Sequence, residues 1–218
     1  MQATGTGGIS LSGTTGTLTN NAPEVGLNAT NVLSAGPITV NTSTNTASRG
    51  GFFYSSLSGS VTGYVNNIGY CLVATCPLSQ VTTTAANITF NVNREASYNG
   101  NVNNNINTTG VVSFLPTLAT GFVNQAPTFG TKISSDATGL VIGNDVTTNT
   151  WAYASVNAYS IAGPIKIFAG SASVIHNMTS TGSGNGILVK TTADINLTGG
   201  VSGTPRTVKT NAGAITFW

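Results

Sequence analysis

The chain predicts an all-β fold, a parallel β-helix or β-solenoid, and three observations carry that prediction. Thr, Asn, Ser and Gly supply about half of the 218 residues while charged side chains make up only 6%, against about 25% in an ordinary soluble domain. Alternation of apolar and polar residues is common and helical periodicity is absent. A short Ile-polar-apolar unit keeps returning, which is the mark of a repeat architecture.

The units come in chain order as Gly8-Ile9-Ser10-Leu11, Pro37-Ile38-Thr39-Val40, Pro164-Ile165-Lys166-Ile167, Asp194-Ile195-Asn196-Leu197 and Ala214-Ile215-Thr216-Phe217. The clearest single strand is Ala86 to Asn93, which puts Ile88, Phe90 and Val92 on one face and Thr89, Asn91 and Asn93 on the other. Ala-Gly-Pro-Ile occurs at Ala35 to Ile38 and again at Ala162 to Ile165, with Ala212-Gly213-Ala214-Ile215 a near copy. In the last third, Ile165, Ile187 and Val208 form one series and Ile175, Ile195 and Ile215 a second, interleaved with it at a similar interval. Two series with one period imply at least two strands per turn, each stacked on its equivalent in the next turn.

A stacked coil explains the composition. The interior is a thin column of Ile, Val, Leu and Phe, and the corners take residues such as Asn and Gly that reach positive φ at low cost. Stacked Thr or Asn side chains form hydrogen-bonded ladders along the axis. About ten turns at about 4.8 Å would make a rod of about 50 Å. Hydrophobic residues are only 39%, but Val, Ile, Thr, Phe and Tyr recur throughout, which favours order over disorder.

One elongated domain over residues 1–218 is expected, with an irregular central region at 61–131. There Tyr64 to Tyr70 leads into Cys71 and Cys76, and Asn99 to Asn105 reads as a loop or lateral excursion. Val111 to Pro116 reads as a short extra strand, and a sandwich-like arrangement is the alternative for the region. In an oxidising compartment Cys71 and Cys76 would close a small loop as a disulfide; the alternative is two reduced, buried thiols.

Reactive side chains are scarce. Five acids, Glu24, Glu95, Asp136, Asp145 and Asp194, and the single His176 are present. Asp136 and Asp145 are the close pair, and turn-forming aspartates explain them better than a cation loop. His176 fits a hydrogen-bonded corner residue better than a catalytic base. No catalytic, cofactor or metal site is expected, so the chain reads as non-enzymatic. Formal net charge is +2 from seven basic and five acidic residues, and Lys166, Lys190, Arg206 and Lys209 are dispersed. That is not a nucleic-acid footprint. No apolar run is long enough for a membrane helix. Met1-Gln2-Ala3-Thr4 opens no signal peptide, so an exported protein would contain this chain as a mature part or fragment.

The cassette from Ala162 to Ile167, Gly184 to Val189, Ala193 to Leu197 and Thr210 to Trp218 resembles the repeats of filamentous-haemagglutinin-like bacterial exoproteins; Gly5 to Asn45 matches more loosely and the central hundred residues depart from the pattern. The resemblance implies a right-handed parallel β-helix, export through a partner pore, and a place at the bacterial cell surface or outside the cell in adhesion, aggregation or fibre formation. No match to that family's N-terminal secretion domain is present.

Three roles follow as expectations. The first is a structural and adhesive segment of a surface or secreted fibre, acting through stacking on adjoining repeats and self-association. The second is a glycan-binding module, for which Phe52, Phe53, Tyr54, Trp151, Tyr153 and Tyr159 are the candidate stacking aromatics, core packing being their commoner use. The third is a discrete filament subunit assembled by β-strand addition. Ice binding ranks below these because Thr17-Leu18-Thr19, Thr42-Ser43-Thr44 and Thr82-Thr83-Thr84 share no period. Sequons at Asn28, Asn41, Asn87, Asn107, Asn177 and Asn196 are expected by chance in so Asn- and Thr-rich a chain.

Overall fold

A computed structural model describes residues 2–3, 7–13, 25–27, 31–42, 52–55, 65–69, 85–92, 94–96, 103–122, 131–154, 158–174, 176–197 and 205–218. All regular structure among them is β-strand. The chain starts with β1 (Gln2–Ala3), β2 (Ile9–Ser12) and β3 (Val25–Leu27), then β4 (Asn31–Ser34), β5 (Ile38–Asn41) and β6 (Phe52–Ser55). It continues with β7 (Val65–Gly69), β8 (Ile88–Asn91), β9 (Arg94–Ala96), β10 (Asn103–Ile106), β11 (Val111–Leu115), β12 (Thr131–Ile133), β13 (Gly139–Ile142) and β14 (Ala152–Ala154). The last stretch is β15 (Tyr159–Ile161), β16 (Ile165–Ala169), β17 (Ser171–Ser173), β18 (Met178–Ser183), β19 (Ile187–Thr191), β20 (Ile195–Asn196), β21 (Val208–Asn211) and β22 (Ile215–Phe217).

Each strand pairs with one two or three strands away in sequence, and every pairing is parallel. The long sheet has the order β2-β5-β8-β11-β13-β16-β19-β22. A second face holds β1-β4-β7-β10-β12 and β15-β18-β21, and a third holds β3-β6-β9 and β14-β17-β20. The chain visits the faces in one order, second, first, third, with no third-face strand described between β11 and β12, an arrangement consistent with a β-solenoid. Eight strands at about 4.8 Å give the long sheet a height of about 34 Å from first to last strand, shorter than the expected rod.

Under the long sheet the core is two parallel columns, joined by buried residues of the other faces such as Ile106, Ile161 and Met178. Register places Ile9, Ile38, Ile88, Val112, Leu140, Ile165, Ile187 and Ile215 in one, and Leu11, Val40, Phe90, Phe114, Ile142, Ile167, Val189 and Phe217 in the other. All but the end members are essentially inaccessible to solvent. Phe90 and Phe114 stack at 4.6 Å with planes 5° apart, one ring pair inside the second column between Val40 and Ile142.

These columns correct the sequence reading in one respect. Ile165 does lie beside Ile187, but the next member is Ile215, while Val208 pairs with Met178 on the second face. Ile195 pairs with Ala172 on the third face rather than with Ile215, and Ile175 lies outside the described residues. The circuit from Ile165 to Ile187 is 22 residues and that from Ile187 to Ile215 is 28. The extra chain falls between β20 and β21, so a fixed period misses the true partner. Longer corners leave strand register untouched because loop length is thermodynamically inexpensive.

In the central third, Val111–Leu115 is an interior strand of the long sheet, paired to β8 on one side and β13 on the other. Asn103 to Asn105, expected within a loop or lateral excursion, belong to the strand Asn103–Ile106, paired to β7 and β12. Its polar run fits a strand because Ile106 is its buried anchor.

The corners explain the composition differently from the expectation of positive φ. Among the described residues only Gly121, Gly143 and Gly184, and Ala212 among the others, have positive φ; no Asn does. Asn side chains instead bond across layers: Asn144 Nδ2 donates to Pro116 O (3.1 Å), Asn185 Nδ2 to Ala162 O (2.9 Å) and Asn211 Nδ2 to Thr181 O (3.1 Å). Hydroxyls work likewise, Thr108 Oγ1 on Ala86 O (2.6 Å), Thr181 Oγ1 on Ile161 O (3.1 Å) and Ser180 Oγ on Gly163 O (2.8 Å). A turning chain leaves carbonyls outside the sheet ladder, and short polar side chains from neighbouring layers satisfy them. Gly163 is required for close approach, since a Cβ there would sit 1.9 Å from Thr138 O.

Candidate functional site

The outer face of the long sheet changes character along its height. On β2, β5, β8 and β11 the outward residues in register are Ser10, Thr39, Thr89 and Ser113. Beside them Asn91 Nδ2 donates to Asn41 Oδ1 at 2.8 Å, and Asn41 Nδ2 reaches Ser10 Oγ at 3.3 Å and Ser12 Oγ at 3.4 Å. This is the expected amide ladder. Higher up, the same rows hold Val141, Lys166, Leu188 and Thr216, followed by Phe168, Lys190 and Trp218.

The last layer is the most exposed apolar surface among the described residues. Ile215 is 41% exposed, Phe217 38%, Leu197 59% and Trp218 72%. Ile215 and Phe217 belong to columns whose preceding members, Ile187 and Val189, are buried. The strand is held by Ile187 N donating to Ala214 O at 2.9 Å and Trp218 N to Val189 O at 2.9 Å. Lys190 Nζ lies 4.6 Å from the centre of the Trp218 ring and donates to Asp145 Oδ1 at 2.7 Å. Stacking order thus builds a site of exposed apolar rungs flanked by an indole and an ion pair. Its chemistry is apolar burial, strand pairing and aromatic stacking.

Sequence-predicted residues fall elsewhere. Trp151, Tyr153 and Tyr159 are buried in the core, so they follow the packing use and offer no ring face to a sugar. Phe52, Phe53 and Tyr54 form β6, and their side chains lie outside the described set. Cys71 and Cys76, and Glu24, are outside the described residues. Asp145 is partnered by Lys190, not gathered with Asp136, which accepts from Ser135 Oγ at 3.5 Å. His176 is half-buried, Asp194 exposed, and no group of acids, His or Cys that could hold a metal exists among the described residues. Thr42, one of the Thr-x-Thr candidates, is buried with its hydroxyl on Asn91 O at 3.4 Å. Besides Asn41, two more sequon asparagines use their amides across layers: Asn87 Oδ1 accepts from Val111 N and Asn177 Oδ1 from Thr207 N, both at 2.9 Å.

The sequence reading missed Trp218, Leu197 and the Lys190–Asp145 pair. Trp218 stands two residues beyond Thr216 on the outward side of an Ile-polar-apolar unit, a signal that could have been read. A separation of 45 positions between Asp145 and Lys190 left no such signal. Among the described residues no helix is long and apolar enough to cross a membrane. No family model matches the chain, and neither a curated protein nor a solved structure matches it.

Proposed function

We propose that this chain is a non-enzymatic structural and adhesive segment of a bacterial surface or secreted fibre, a right-handed parallel β-solenoid of the filamentous-haemagglutinin-like kind. It acts through stacking of layers and self-association. The observation that supports this best is the pair of unbroken eight-residue apolar columns ending at Ile215 and Phe217, where the next layer's share of burial is missing. A further layer, from adjoining repeats or another copy, would bury those side chains and pair the free edge of β22.

The test uses the 218-residue chain itself. Sedimentation velocity and electron microscopy across micromolar concentrations should show rods that lengthen with concentration, and Phe217→Lys should abolish lengthening. A wild-type chain that stays monomeric and indistinguishable from Phe217→Lys at about 100 µM would overturn self-association.

A glycan-binding role is the second reading, favoured by the exposed Trp218 indole beside Lys190 and Asp145 rather than by the aromatics first considered. An exposed ring flanked by charge can stack on a sugar while the charged groups bond its hydroxyls. Glycan-array signal lost in Trp218→Ala would support it; no signal with the wild-type chain would discard it.

A further inference from the structure

We propose that Asn149, Trp151 and Tyr153 border an internal hydration site in the core, independent of the fibre reading. All three are buried, at 5%, 4% and 1% exposure, yet Asn149 Oδ1, Trp151 Nε1 and Tyr153 OH have no hydrogen-bond partner among the described residues. Native structures leave few such atoms unmatched.

Geometry fixes each group. Asn149 Nδ2 donates to Asn144 O at 2.8 Å and to Val146 O at 3.1 Å, which sets the amide orientation and leaves Oδ1 as an acceptor. The Trp151 ring is held edge-on by Phe122 at 4.8 Å and Tyr153 at 6.1 Å. Gly121, at φ 95°, lies against both polar atoms: a Cβ there would be 2.8 Å from Trp151 Nε1 and 3.2 Å from Asn149 Oδ1. Those two atoms are therefore no more than about 6 Å apart, a span that one water covers with two hydrogen bonds of about 2.9 Å. The residue in register with Tyr153 in the next layer is Ala172, which has no polar group to offer its hydroxyl.

The chemistry selects the ligand class. The groups offer one N–H donor, one amide acceptor and one hydroxyl that serves as either, with no charge. A small neutral molecule with both donor and acceptor capacity fits, and water is the one always available. It accepts from Trp151, donates to Asn149, and Tyr153 OH completes its bonding directly or through a second water.

The test pairs crystallography with a substitution. A map at about 1.6 Å should show density within about 3.2 Å of at least two of the three atoms. Tyr153→Phe, which removes only the oxygen, should lower the folded-to-unfolded ratio about five-fold, as loss of a satisfied buried hydrogen bond does. A dry orphan hydroxyl predicts the opposite sign. An empty map, a side chain from residues 123–130 or 155–157 in that place, or an unchanged or raised ratio for Tyr153→Phe overturns the proposal.

Discussion

Replacing Phe114 by Ala tests the column directly when compared with the same change at Phe217, because the two rings occupy the same column at different heights. Phe114 is 1% exposed and stacked on Phe90, whereas Phe217 is 38% exposed on β22, the last described strand of the long sheet. Truncating a fully enclosed Phe costs about 4 kcal/mol, from lost transfer energy, the residual cavity and the lost ring stack. At Phe217 more than a third of the transfer term is already absent and no closed cavity can form, so about 1.5 kcal/mol is expected. Urea titrations followed by far-UV circular dichroism measure both values. Native-state amide exchange should place the Phe114→Ala loss in β8, β11 and β13 and the Phe217→Ala loss in β19 and β22. Equal losses, or less than about 1.5 kcal/mol for Phe114→Ala, would refute the idea that burial accumulates by stacking along this column.

Gly163→Ala should destabilise by about 2–4 kcal/mol, because its Cβ would collide with Thr138 O at a corner locked by Gly163 N donating to Ala137 O at 2.9 Å. Gly7→Ala, with nothing within 4 Å, is the neutral control in the same melting assay. Burial pushes the Tyr153 phenol above its ordinary value. The folded state therefore holds that proton more tightly than the unfolded state, and its contribution is full below the unfolded pKa of about 10 and is lost as pH rises beyond it. Stability measured from pH 8 to 11 should accordingly fall less steeply in Tyr153→Phe than in the parent. Lys190→Gln should remove at most about 1 kcal/mol, and a double-mutant cycle with Asp145→Asn should find that coupling reduced in 0.5 M salt.

Much of the architecture was legible because local pattern and global fold agree. Ile38 to Asn41 and Ile88 to Asn91 alternate buried and half-buried residues as their sequences require. What failed was the inference of partners from spacing. Val208 stood 21 residues beyond Ile187, close to the preceding interval of 22, yet an insertion before β21 moved the partner to Ile215. Register obeys which side of a strand is apolar, and a corner can lengthen without disturbing it. The candidate aromatics show the same limit: spacing did not separate stacking groups from core groups, and Trp151, Tyr153 and Tyr159 take the packing use that aromatics more often have. Nothing in sequence alone distinguishes an inward from an outward turn after a corner.

The poverty of charge also follows from the stacking. Residues in register on adjacent strands sit about 4.8 Å apart, where two like charges repel by about 1 kcal/mol even in water. A row of lysines repeated in every layer would accumulate that repulsion along the whole sheet. The described lysines avoid it: Lys132 is in register with Asn105, Lys166 lies between Val141 and Leu188, Lys190 between Phe168 and Trp218, and Lys209 beside Thr179. Lys190 further has Asp145 as an opposite charge. Thr, Ser and Asn tolerate indefinite repetition because each neighbour can donate where the next accepts, as Asn91 does to Asn41. A surface made this way has little long-range field with which to steer a partner. The association proposed for this chain would therefore rest on short-range apolar burial and strand pairing, the two things that the layer of Ile215 and Phe217 offers.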